Sequence, residues 1–119
     1  LEKLISMKKR LLLPGIIISL ILLQCSKSED PTPDECSGVT ATYNNGIQSI
    51  INSSCALAGC HTGDVPQPKY DSYAAVKALV SSIQSRVSDK SMPPAGATPL
   101  SDAQIKLITC WVQNGALEN

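Results

Sequence analysis

The chain has 119 residues, enough for one small domain, and its ten Lys or Arg balance ten Asp or Glu. Beyond the N-terminal leader there is no basic patch, which argues against nucleic acid as a partner. With a single histidine and no nucleophile–base pair, a self-contained enzyme is not expected.

Residues 1–24 read as an export signal. Lys8, Lys9 and Arg10 form a positive patch, and an apolar run over 11–23 follows. That run is too short to span a bilayer, which takes ~20 residues, and Pro14-Gly15 interrupts it. The pattern is that of a secretory signal peptide, with Met7 as the natural start and residues 1–6 as an upstream extension. Leu22-Leu23-Gln24-Cys25 resembles a bacterial lipobox, in which the cysteine is acylated and becomes the first mature residue. Gln24 stands where a small residue is usual. The resemblance implies a lipid anchor at Cys25 on an exported protein, periplasmic or at the cell surface, as an outer-membrane lipoprotein is. The plainer alternative is an ordinary signal peptide and an unmodified cysteine. Beyond the leader, residues 25–119 carry six Lys or Arg against nine Asp or Glu, a net charge of −3. Residues 25–35 are polar, acidic and proline-containing, with nothing to bury, so they form a flexible linker behind the anchor.

The folded domain is expected over residues 36–119, with three helices. Asn45 stands as a cap for the first, with Gln48 three residues on and Ile47, Ile50 and Ile51 on one face. The second starts near Asp71 or Ser72; Tyr73, Val76, Leu79, Val80, Ile83 and Val87 recur at helical spacing. In the third, Ser101-Asp102-Ala103-Gln104 is a capping box. Ile105, Ile108, Trp111 and Val112 make its apolar stripe, and Asn114-Gly115 ends it. Loops rich in Pro and Gly cover 63–68 and 89–99, and no segment alternates as a strand does. The expected class is all-α. With no Phe, one Trp and three Tyr, so short a domain is marginal unaided, and a cofactor or disulfides would supply what the core lacks.

One segment carries chemistry. In Cys55-Ala56-Leu57-Ala58-Gly59-Cys60-His61 two cysteines end in an adjacent Cys-His pair, and His61 is the only histidine. This is how c-type haem is attached: each thiol forms a thioether with a vinyl group, and the adjacent imidazole faces the iron. Four residues separate the cysteines here, where two are usual. Met92, in Ser91-Met92-Pro93-Pro94, is the only methionine beyond the leader. One histidine and one methionine are what a six-coordinate electron-transfer haem requires. A small-loop disulfide between Cys55 and Cys60 is the alternative in an oxidising compartment, and gap-filling in the core is the alternative for Met92.

These pieces, with Tyr43-Asn44-Asn45-Gly46-Ile47 before them and Trp111-Val112-Gln113-Asn114-Gly115 after, resemble the small class I c-type cytochrome domains of secreted bacterial lipoproteins. The resemblance covers residues 36–119. It implies a small cytochrome c-like fold of about three helices, with long loops wrapped around one covalent haem c. Cys55 and Cys60 would attach it, and His61 and Met92 would be its axial ligands. A backbone carbonyl in the loop after His61 would hold the histidine N–H. The first and last helices would cross, bringing Trp111 against Ile47 or Ile51. Redox proteins would be the partners and electron transfer the function. Two other readings stay open: a five-coordinate haem sensor or ligand-binding domain, and a disulfide-stapled lipoprotein without haem. If haem consumes Cys55 and Cys60, then Cys36 and Cys110 are the pair left to form a disulfide. Without haem, four cysteines allow three connectivities.

Overall fold

The computed structural model describes residues 35–119; among them are four α-helices and no β-strand. They are α1 (Ile47–Ser54), α2 (Tyr73–Lys77), α3 (Val80–Ser88) and α4 (Asp102–Gln113). The all-α expectation holds, but the helices number four where three were expected. The expected signal peptide, the expected anchor at Cys25 and nearly all of the expected linker lie outside the described residues.

The extra helix comes from a break at Ala78 and Leu79. The apolar spacing from Tyr73 to Val87 passes through it, yet Leu79 sits at φ −119° and ψ 11°. Its N–H donates to Val76 O at 3.0 Å, three residues back instead of four. Two tertiary anchors account for the break. Lys77 Nζ, at the end of α2, donates to the carbonyls of Gly115 and Ala116. Ile83 and Val87 of α3 are buried, and α3 packs on α4. Local helix propensity is a weak term beside such packing.

The expected cap at Asn45 is also corrected. The N-cap of α1 is Gly46, at φ 111°, with no side-chain cap bond. A residue with a Cβ pays heavily at that φ, and glycine does not. A Cβ there would make an ordinary van der Waals contact, 3.4 Å from Leu107 Cδ2 of α4, so the backbone φ and not the space selects glycine. Asn45 instead donates its N–H to Thr42 Oγ1 at 3.2 Å.

Helix α4 forms as its sequence dictates. Ser101 Oγ accepts from Gln104 N at 3.3 Å, and Ser101 N donates to Gln104 Oε1 at 2.9 Å. At the other end Gly115 takes φ 91°. Gly115 N donates to Val112 O at 3.0 Å and Ala116 N to Trp111 O at 2.8 Å, the paired bonds of a Schellman stop. Both α1 and α3 pack on α4. Trp111, Ile108, Ile47 and Ile51 are fully buried in one cluster with Tyr43, Val76, Ile83 and Val87.

The chain after α4 stitches the bundle together. Trp111 Nε1 and Tyr43 N both donate to Leu117 O, at 2.8 and 2.9 Å. Tyr73 Oη donates to Ala116 O at 3.0 Å, and Asn44 N to Glu118 O at 3.0 Å. Cys36 and Cys110 are joined in a disulfide, with Cα atoms 5.2 Å apart. It ties the first described turn to the middle of α4.

Candidate functional site

The site begins where α1 ends. Cys55 N and Ala56 N both donate to Ile51 O, at 2.9 and 2.8 Å, closing the helix. The Cys55 carbonyl then accepts from Leu57 N at 2.9 Å and from His61 N at 3.2 Å, while Cys60 N donates to Leu57 O at 2.9 Å. The four intervening residues therefore fold back on themselves, and His61 returns beside Cys55. Gly59 makes the reversal at φ 80°. Cys55 and Cys60 are both partly buried free thiols. Burial, and then the nearby Cys60, push the Cys55 thiol up to about 11, so it is protonated at neutral pH.

His61 is fixed from two sides. Its Nδ1 lies 2.7 Å from Pro68 O. A carbonyl oxygen only accepts, so Nδ1 carries a proton, and in the neutral imidazole the lone pair is then on Nε2, the form a metal ligand needs. Its ring stacks on Tyr70, with centroids 4.1 Å apart and planes 8° from parallel. Tyr70 N donates back to His61 O at 3.0 Å, and Lys69 pairs with Asp64 at 3.8 Å. The 61–70 loop is thus closed on itself. Burial raises the Tyr70 pKa, as does the nearby Cys55, against an opposing pull from Arg86.

Met92 reaches the same place from the end of α3. Its N–H donates to Arg86 O at 3.1 Å. Ser91 N donates to Asp89 Oδ1 at 2.8 Å, and the hydrogen bonds from Ser91 lead in holding the Asp89 carboxyl below the usual range. Pro93 and Pro94 follow directly.

Between these segments lies a cleft with a cavity of about 150 Å³ that opens to solvent. Cys55, Leu57, Cys60 and His61 line it on one side, with Gln67 and Tyr70 beside them. Ile83, Arg86 and Val87 of α3 form a wall, and Met92, Pro93, Pro94 and Ala97 face in from the last loop. All four residues singled out for haem in the sequence therefore meet at one apolar cleft. Among the described residues no group of three or more His, Cys, Asp or Glu is placed to hold a metal ion by itself. The donor set is one imidazole, one thioether and two thiols. It fits a macrocycle that brings its own equatorial nitrogens and needs only two axial ligands and two covalent anchors.

Tyr70 and the apolar residues of α3 were not read as site features from the sequence, whereas the carbonyl expected in the loop after His61 is that of Pro68. The signal for Tyr70 was faint: one of three tyrosines in a chain without Phe, standing outside any helical pattern. Arg86 lines the cleft, whereas Lys90 is engaged by Asp102 at 3.2 Å. No helix among the described residues is long and apolar enough to cross a membrane. No family model, curated protein or solved structure matches this chain.

Proposed function

We propose that residues 36–119 form a cytochrome c-like domain with one covalent haem c, and that its function is electron transfer and not catalysis. One observation carries the reading. His61 has its Nδ1 proton committed to Pro68 O at 2.7 Å, and it shares an apolar cleft with Cys55, Cys60 and Met92. A free Nε2 lone pair is what an axial ligand requires. Cys55 and Cys60 would hold the group by adding their S–H bonds across two vinyl groups, a step that needs no oxidant or reductant. Met92, in the Ser91-Met92-Pro93 segment, would supply its thioether as the second ligand to the group. Leu57, Ile83, Val87 and the prolines would give the group an apolar lining. When bound, the haem supplies one-electron chemistry, and His and Met ligation together raise its reduction potential. The Cys36–Cys110 disulfide is consistent with this assignment, because it leaves Cys55 and Cys60 free for attachment. The leader and Cys25 add export and an acyl anchor, so that the domain meets redox partner proteins at a membrane surface.

The test is spectroscopic. Protein made alongside haem maturation machinery and denatured in pyridine should give the visible spectrum of a haem with both vinyl groups saturated. Acid–acetone extraction should leave the colour with the polypeptide. Colourless protein, or colour that extracts, defeats the reading.

A further inference from the structure

We infer that Tyr70 is a positioning residue for His61: its ring sets the plane of the imidazole, and so the direction in which Nε2 presents its lone pair. The inference rests on the haem reading only in making Nε2 an axial ligand. The geometry itself stands in the protein alone.

A hydrogen bond at Nδ1 fixes one atom of the ring. It leaves the imidazole free to rock about the line from Cβ to the bonded nitrogen, since acceptance at a carbonyl is broad in angle. A second constraint is needed to fix the plane, and Tyr70 supplies it. Its ring lies 4.1 Å from the imidazole and 8° from parallel, so any large rocking toward that face meets carbon atoms at van der Waals distance. Tyr70 is itself held. Its N–H donates to His61 O at 3.0 Å, so the two residues are bonded to each other along the backbone as well as stacked. Its side chain packs against the main core cluster. The Pro68 carbonyl thus chooses the tautomer, and Tyr70 chooses the plane.

The Tyr70 hydroxyl plays no part in this account. Tyr70→Phe keeps the stacking face and should leave the histidine as it is. Tyr70→Leu keeps apolar bulk but removes the planar face, and should free the ring to take more than one orientation.

The experiment uses the full chain. In haem-loaded protein, the ferric low-spin electron paramagnetic resonance spectrum reports axial-ligand orientation. The wild type and Tyr70→Phe should give one matching set of g-values and the same reduction potential. Tyr70→Leu should give shifted or multiple g-values and a changed potential, with the same covalent haem content. Tyr70→Leu identical to wild type in both would overturn the inference. A Phe variant that behaves like Leu would also overturn it, because the hydroxyl would then be the active part. If Tyr70→Leu does not accumulate, the wild type alone decides: nuclear Overhauser contacts between the His61 and Tyr70 rings are expected, and their absence defeats the proposal. That last measurement applies equally to a colourless protein, so loss of the haem reading and loss of the positioning role give different results.

Discussion

Removing the Cys36–Cys110 disulfide should cost this domain a large part of its stability. The two cysteines are 74 residues apart in sequence. In the chain-entropy model a closed loop of that length removes ~15 cal/mol/K from the unfolded ensemble, or ~4.4 kcal/mol at 25 °C. At 0.05–0.15 kcal/mol per residue, a domain of this size has roughly 4–13 kcal/mol in total. The double variant Cys36→Ala/Cys110→Ala should therefore lose at least a third of it. Cys36 is 5% exposed and Cys110 fully buried, so removing both sulfurs also leaves a small void that adds to the loss. For a domain of 60–100 residues the expected fall in Tm is roughly 18–35 °C. Thermal and urea unfolding followed by circular dichroism would measure it, with the parent in reductant as a second route to the same state. A double variant within about 1 kcal/mol of the parent would mean that the packing of α1 and α3 on α4 holds the domain alone, and the entropy argument would fail.

Met92→Ala in the haem-loaded protein should let carbon monoxide or cyanide bind and should lower the potential, because the thioether favours the ferrous state; an unchanged spectrum and potential would make Met92 a packing residue. In the haem-free chain, the Cys55 thiol at about 11 against an ordinary 9.0 predicts about 100-fold less thiolate at pH 8. Iodoacetamide labelling of Cys55, read by mass spectrometry, should stay slow until the pH nears 11, and rapid labelling at pH 8 would contradict the burial. Thr109 Oγ1 is fully buried without a hydrogen-bond partner. Thr109→Val should therefore stabilise by about 1 kcal/mol in denaturant titration, and a loss of stability would reveal a partner for the hydroxyl. Cys25→Ser should move the protein from the detergent-extracted membrane fraction to the soluble exported one, or leave it uncleaved; a wild type that is already soluble would rule out the anchor.

What could be read from the sequence was what local chemistry decides. The Ser101/Gln104 capping box and the Asn114-Gly115 stop involve groups a few residues apart, and they formed as read. The cap of α1 was misplaced because Asn45 has the better side chain, whereas the turn required the backbone freedom of Gly46 beside Leu107. The break after α2 was invisible because Val76, Val80, Ile83 and Val87 keep one helical phase across it. What interrupts the helix is Lys77 bonding to carbonyls beyond α4. Cys55, Cys60, His61 and Met92 could be named as candidates because reactive side chains stand out by type and spacing, and the fold brings them to one cleft. The Pro68 carbonyl could not be, since every residue has one and only the folded loop selects it. Tyr70 was missed for a related reason: stacking depends on where two rings meet, and no spacing rule encodes that.

The stitching by residues 115–118 also sets an order of events in time. Tyr43, Asn44, Tyr73, Lys77 and Trp111 all find their acceptors on that short stretch. During synthesis from the N-terminal end, Tyr43, Asn44, Tyr73 and Lys77 emerge well before their acceptors. Cys36 likewise waits for Cys110, while Cys55 and Cys60 have already passed. The nascent chain therefore spends an interval with the Cys55–His61 loop out and its fold unsealed. In that window Cys55 and Cys60 are more accessible than in the closed bundle, where both are partly buried.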